Sequence, residues 1–141
     1  MNTHGRLLVF TLQGSGFALE LAEVAEIVEP PALFHIPRAP SCFNGVMNSH
    51  GNLVPVVDLA EFFGFGALAA GGKILVLDRQ IANLAFRVEN ILGIYTSDLV
   101  LEEHPGDLQM VAKILQFPDG EIRRLEPAGI VGKLEEAITG C

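Results

Sequence analysis

Val46-Met47-Asn48-Ser49-His50-Gly51-Asn52-Leu53-Val54-Pro55-Val56-Val57-Asp58-Leu59 is the stretch on which the fold turns. Two short apolar runs flank Ser49-His50-Gly51-Asn52, a cluster of turn formers, and the arrangement predicts a β-hairpin. Pro55 has no N–H to give to a ladder, so it is expected at an edge or a bulge. Asp58-Leu59-Ala60-Glu61 has the Asp-x-x-Glu form of a capping box and predicts a short helix through Phe63, ended by Gly64. Asp58 thus reads as a helix cap or, in the alternative, as a catalytic carboxylate.

Outward from the hairpin, the same design recurs. A constant offset of 67 positions lays Leu7-Leu8-Val9-Phe10 on Ile74-Leu75-Val76-Leu77 and Phe17-Ala18-Leu19-Glu20-Leu21 on Leu84-Ala85-Phe86-Arg87-Val88. Val24 and Ile27 fall on Ile91 and Ile94, and Arg6 falls on Lys73. Two extra residues later, Gly51 meets Gly120, the turn between the runs 113–117 and 121–125. Phe17, Leu19 and Leu21 alternate with smaller or polar residues, as do Leu84, Phe86 and Val88, which predicts half-buried strands. The chain therefore divides into pseudo-repeats over about 1–66 and 72–132, joined by the Gly/Ala stretch 64–72, with a second helix at 133–138. Each half, at about 65 residues, buries too little surface to stand alone, so the two are expected to share a core, with an apolar groove between them. Short strands with Gly and Pro turns place the fold in the all-β class, as small barrels or sandwiches.

Composition removes several function classes. The chain has 141 residues, half of them hydrophobic and 18% charged, with a formal net charge of −8. Nine scattered Lys and Arg residues offer no basic footprint for nucleic acid, and the acidity argues against docking on anionic lipid. The apolar run 7–12 is short for a signal peptide, and 62–77 is interrupted by four glycines and Lys73, so no membrane insertion is expected. Two cysteines, Cys42 and Cys141, set no disulfide framework, which fits a reduced, cytoplasmic chain.

Chemistry is not assembled anywhere in the sequence. The stretch 67–74 approximates a phosphate loop but lacks its first glycine and its hydroxyl, and Lys73 opens a strand rather than a helix. His4, His35, His50 and His104 stand singly without metal-ligand spacing, so no metal and no cofactor are expected. No serine sits in a nucleophile elbow, and Cys42 beside Phe43 reads as a packed residue. Glu20, Glu23, Glu26 and Glu29 recur at every third position, as an acidic docking stripe or a solvated face. A binding module is the reading that remains, with a small enzyme using Asp58 and His50 as the alternative from another class.

The residues 17–21, 24–28, Ile36-Pro37 and 43–59 together resemble the CheW-like family of chemotaxis coupling proteins, whose pattern is approximately V-x-E-I followed by G-V-x-N-x-R-G-x-x-x-P-x-x-D-L. The likeness is specific over 7–63, weaker over 73–95 and faint after Leu101. It implies two intertwined five-stranded SH3-like barrels sharing a core, with one or two short helices, and a single CheW-like domain over 1–141. It also implies a non-enzymatic adaptor. Its partners are then the regulatory domain of a sensor histidine kinase and the helical cytoplasmic tip of a chemoreceptor, or another kinase pathway such as pilus-based motility.

By position, the resemblance makes Val24, Glu26, Ile27, Val28, Asn48 and His50 the partner-binding residues; ordinary core is the alternative for Val24 and Ile27. Gly45, Gly51, Pro55, Asp58 and Leu59 match the hairpin motif and read mainly as fold geometry. His50 stands where the family pattern has Arg, which exchanges a permanently charged fork for a ring that titrates near neutrality.

Overall fold

The computed structural model describes residues 5–69, 71–107 and 110–139. Strands β1 (Arg6–Leu12) and β2 (Ser15–Glu20) lead through a 3-10 turn, Leu21–Glu23, into β3 (Val24–Val28). After an irregular segment come β4 (Phe43–Ser49), β5 (Asn52–Asp58) and the one-turn helix α1 (Leu59–Phe62). The second series is β6 (Lys73–Leu77), β7 (Ala85–Val88), β8 (Asn90–Thr96), β9 (Glu102–Pro105), β10 (Val111–Phe117), β11 (Gly120–Leu125) and helix α2 (Pro127–Thr139).

Two sheets result, a six-stranded one in the order β8-β1-β2-β11-β10-β9 and a five-stranded one in the order β3-β6-β7-β5-β4. The fold is all-β, as the sequence predicts. The chain changes sheets after β2 and again after β7, so β1 and β2 lie with β8 to β11, while β6 and β7 lie with β3 to β5. A boundary at 66–72 therefore runs through both sheets. Strand β9 makes one sheet six-stranded; Glu102-Glu103-His104-Pro105 has no apolar alternation to announce it.

The strands at the heart of each sheet are buried on both faces rather than half-buried. Leu7, Leu8, Val9 and Phe10 are all within 3% exposure, and Phe17, Ala18 and Leu19 within 2%. Alternation still governs where they point. Leu8, Phe10 and Leu12, with Phe17 and Leu19, meet Leu75, Leu77, Phe86 and Val88 of the other sheet in one central cluster. Leu7, Val9 and Ala18 turn the other way, onto Leu115, Phe117 and Ile122. In the five-stranded sheet Ile74, Val56 and Ala85 likewise turn onto Met47 and Val54. Three apolar layers thus alternate with two sheets. The continuous runs at 7–10 and 74–77 carry the signal for burial on both faces.

The β4–β5 hairpin forms as predicted, but Pro55 lies within an interior strand rather than at an edge. Its partner across β4 is Val46, whose N–H and C=O are both used by Phe34 at 2.8 Å on the far side. On its other flank the β5–β7 ladder begins only at Val56. No neighbour asks Pro55 for the N–H it lacks.

Helix α1 is capped as the sequence predicts, with Asp58 Oδ1 accepting from Glu61 N at 3.1 Å. It ends in a Schellman arrangement, Phe65 N to Ala60 O at 2.8 Å and Gly64 N to Glu61 O at 3.0 Å. Asp58 is fully buried, and its second oxygen accepts from Leu68 N at 2.8 Å. Arg87 adds two bonds to the connector, to the carbonyls of Ala69 and, at 2.9 Å, Gly71. The connector is therefore tied to the sheets at Leu68, Ala69 and Gly71.

Helix α2 begins at Pro127, six residues before the predicted start, because a proline at the first helical position needs no N–H partner. It buries Ile130 and Leu134 against the central cluster.

Asp58→Ala should lower stability by about 2–4 kcal/mol, the combined cost of a lost cap and a stranded buried N–H. Asp58→Asn, which keeps one acceptor oxygen, should lose less. Urea denaturation followed by circular dichroism checks the order, and equal losses would contradict the two-bond role.

Candidate functional site

Strand β3 starts where the turn Leu21–Glu23 releases the chain, and the turn is held by a reciprocal capping box between Glu20 and Glu23, with Glu20 N donating to Glu23 Oε1 at 2.9 Å. Val24, Ile27 and Val28 then supply the β-branched residues that favour an extended chain. The register slips between Val24 and Glu26, so Val24 faces Leu77 and Ile27 faces Leu75, both on the side of the central cluster. Val24 packs on that cluster; Ile27 remains 45% exposed. Glu26 and Val28 take the opposite face, where Val28 packs on the interior of the five-stranded sheet. Of the alternatives for the apolar pair, core describes Val24 and open surface describes Ile27.

The matching strand β8 repeats this geometry. Ile91 faces Phe10 and Ile94 faces Leu8, so both point to the central cluster. Ile91 packs there, and Ile94 is 55% exposed. The depth of the seam is filled by the chain's own side chains, and the apolar surface left over lies at its margins. Ile94 was already paired with Ile27 by the sequence offset; that pairing is the signal that identifies it.

The hairpin tip brings a polar group to β3. His50 Nε2 lies 3.0 Å from Glu26 Oε2, joining the β4–β5 turn to β3. The contact is exposed, with side-chain accessibilities of 77% and 37%, so it is worth little to stability. Beneath it is a cleft of about 190 Å³ whose lining includes Val54, Val76 and Arg79. That is below the roughly 300–1,000 Å³ of small-molecule sites.

His50 has φ 52° and Gly51 φ 86°, the pair of left-handed residues that a two-residue hairpin turn requires. Asn48 braces that turn by accepting from Gly51 N at 3.0 Å. Gly45 has φ 144°, and a Cβ there would sit 2.7 Å from Phe34 O. Leu59 is fully buried. The hairpin glycines, Pro55, Asp58 and Leu59 thus serve the backbone.

Asp58 and His50 are not brought together. Asp58 ends β5 and His50 sits in the turn that precedes it, about 25 Å away at strand rise. Burial raises the thiol pKa of Cys42, which keeps it protonated and packed. Among the described residues no three His, Cys, Asp or Glu side chains gather where a metal could sit. His4 and Cys141 lie outside the described residues. The four glutamates do not form a stripe: Glu20 pairs with Arg124 at 3.1 Å, Glu29 with Lys73 at 2.8 Å, Glu26 with His50, and Glu23 caps its own turn. No helix is long and apolar enough to cross a membrane among the described residues.

Comparison with known proteins places this geometry. The family model for the CheW-like domain matches residues 6–125. The chain is 25% identical over 122 residues to Protein PilI of Pseudomonas aeruginosa, covering 84% of this chain and 67% of that protein. It is 24% identical over 107 residues to the Chemotaxis protein CheW of Thermotoga maritima, covering 75% of this chain and 68% of that one. The crystal structure of scaffolding protein TtCheW from Thermoanaerobacter tengcongensis superposes with a TM-score of 0.77 at 21% identity, over 86% of this chain and 88% of its own.

Gly45→Ala should destabilise more than Gly51→Ala. Gly51 has open space and loses about 1 kcal/mol from backbone conformation, whereas Gly45 adds a collision with backbone. Thermal melts of both variants test this.

Burial raises the Glu23 carboxyl pKa, an effect partly offset by the Glu20 N–H it accepts. A carboxyl raised on folding favours the folded chain while protonated and loses that contribution as pH rises through its folded value. Glu23→Gln should therefore raise Tm at pH 7, and the gain should shrink toward zero below the ordinary glutamate pKa of 4.5. A gain that is the same at both pH values would exclude the burial effect.

Proposed function

The chain belongs to the CheW-like domain family, and from that membership we propose that it is a cytoplasmic, non-enzymatic adaptor that joins chemoreceptors to a sensor histidine kinase. Its partners are the kinase's regulatory domain and the helical cytoplasmic tip of a receptor. Residues 1–141 act as one CheW-like domain, with pseudo-repeats over about 1–66 and 72–132. The observation that carries this reading is Ile27, a large aliphatic side chain exposed at 45% on a strand otherwise anchored to the core. An apolar margin of this kind suits an amphipathic helix laid along the seam.

Val24 sets the position of the surface and Ile27 supplies apolar area, while Glu26 with His50 offers a polar contact on the opposite face of the same strand. Val28 holds the strand from behind, and Asn48 fixes the turn that carries His50. With His50 in contact with Glu26, that carboxylate is already engaged by a ring nitrogen when a partner arrives. The similarity to Protein PilI favours a second output for the same scaffold, pilus-based motility.

Titration of the chain against the regulatory domain and the receptor tip encoded nearest to it should show binding to both, and no binding at tens of micromolar would defeat the proposal. Ile27→Asp should weaken binding at least about tenfold, since burial of an Ile side chain contributes about 1.5–3 kcal/mol. Unchanged circular dichroism confirms that the variant is folded, and unchanged affinity would move the contact elsewhere.

A further inference from the structure

The two sheets have four edges, and three are blunted. On β9 the edge reads Glu102-Glu103-His104-Pro105, with charge and a proline that discourage pairing. The outer side of β4 is engaged by Phe34 through two backbone bonds to Val46. Strand β3 is five residues long, is broken in register at Ala25, and carries Glu26 with His50 drawn across to it. The fourth edge, β8, has seven residues, none charged and none proline. It pairs with β1 on one side and with no strand on the other among the described residues. Its register irregularity falls at Leu92, which leaves Gly93 to Thr96 in regular pairing with β1.

Beside this regular part lies a cleft of about 320 Å³, lined by Ile94, Tyr95, Leu99, Phe117 and Pro118, with Asp119 at its rim. Ile94 and Leu99 are each at least half exposed. Tyr95 donates its hydroxyl to Asp119 at 3.4 Å and packs edge-on against Phe117, so the cleft floor is a fixed aromatic pair. A free backbone edge next to an apolar side-chain cleft is the combination that strand addition uses: the main chain supplies affinity and the cleft reads one side chain.

Charge decides the occupant. Glu89 precedes β8, Asp98 follows it and Asp119 borders the cleft, while Arg6, opposite Thr96, is the cation on the neighbouring strand. A second copy of β8 laid antiparallel would bring Glu89 of one chain toward Asp98 of the other at both ends. We propose that the β8 edge is a docking site for an extended partner segment with branched apolar residues at its centre and Lys or Arg at its ends, added as a further strand to the six-stranded sheet. This edge lies on a different sheet from β3, and its Ile94 is the counterpart of Ile27 at the other margin of the seam.

The test uses the full chain and a fluorescein-labelled heptapeptide, Lys-Val-Thr-Ile-Thr-Val-Lys, capped at its C-terminus. Anisotropy should show saturable binding, and amide exchange of residues 93–96 should slow in the complex. N-methylation of alternate peptide nitrogens, or exchange of both Lys for Glu, should each weaken binding about tenfold or more. Ile94→Lys should abolish binding; Asp119→Asn, at an exposed turn, weakens it with the fold intact. Binding that persists in Ile27→Asp separates this edge from the β3 surface. No binding of the parent peptide, equal binding of the N-methylated one, or a sedimenting dimer that protects 93–96 would overturn the proposal.

Discussion

Everything in this molecule rests on the central apolar layer, where Leu8, Phe10 and Phe17 of one sheet interlock with Leu75, Leu77 and Phe86 of the other. The layer exists because β1 and β6 are apolar on both faces and β2 and β7 turn Phe17, Leu19, Phe86 and Val88 into it. One face fills the space inside a strand's own sheet, and the other joins the two sheets. A truncation at Phe10 or Phe86 opens a cavity in this layer, in the range of about 3–5 kcal/mol for a large aromatic, and reaches both sheets through it.

That arrangement divides the work among the elements. Interior strands are committed to packing, so recognition is left to what lies outside them: edge strands, hairpin tips and the ends of loops. Ile27 and Ile94 are equivalent side chains at the two margins of the shared layer, yet their neighbours differ. A histidine and a glutamate lie on the other face of the strand that carries the first, and an aromatic cleft with a carboxylate borders the second. Two related surfaces on one rigid scaffold can therefore take different partners, which is what a coupling protein requires.

Much of this was legible in the sequence, and the parts that were not share a cause. The hairpins were readable because Ser49-His50-Gly51-Asn52 and Asp119-Gly120 encode their turns locally, and the α1 cap was readable because Asp58 and Glu61 are three residues apart. Periodicity gave the faces of β2 and β7 but not their neighbours, since alternation states which way a side chain points and not which strand lies beside it. Periodicity therefore does not reach the exchange of strands between sheets, which only the family resemblance implies and the structure displays. Asp58 to Leu68 and His50 to Glu26 each join a strand residue to a separate loop or turn, for which no spacing rule exists. The start of helix α2 is masked in the sequence because Gly129 and Gly132 dilute its first turns, although Pro127 marks the first helical position.

Because the chain crosses between the sheets after β2 and again after β7, neither half owns a complete sheet. The two series are laced together like fingers of two hands. A protease that cuts the connector at 64–72 would leave two fragments, each supplying the strands the other lacks, still joined without a covalent link. The same lacing obliges both halves to fold in a single event, since neither has a finished layer to collapse upon alone.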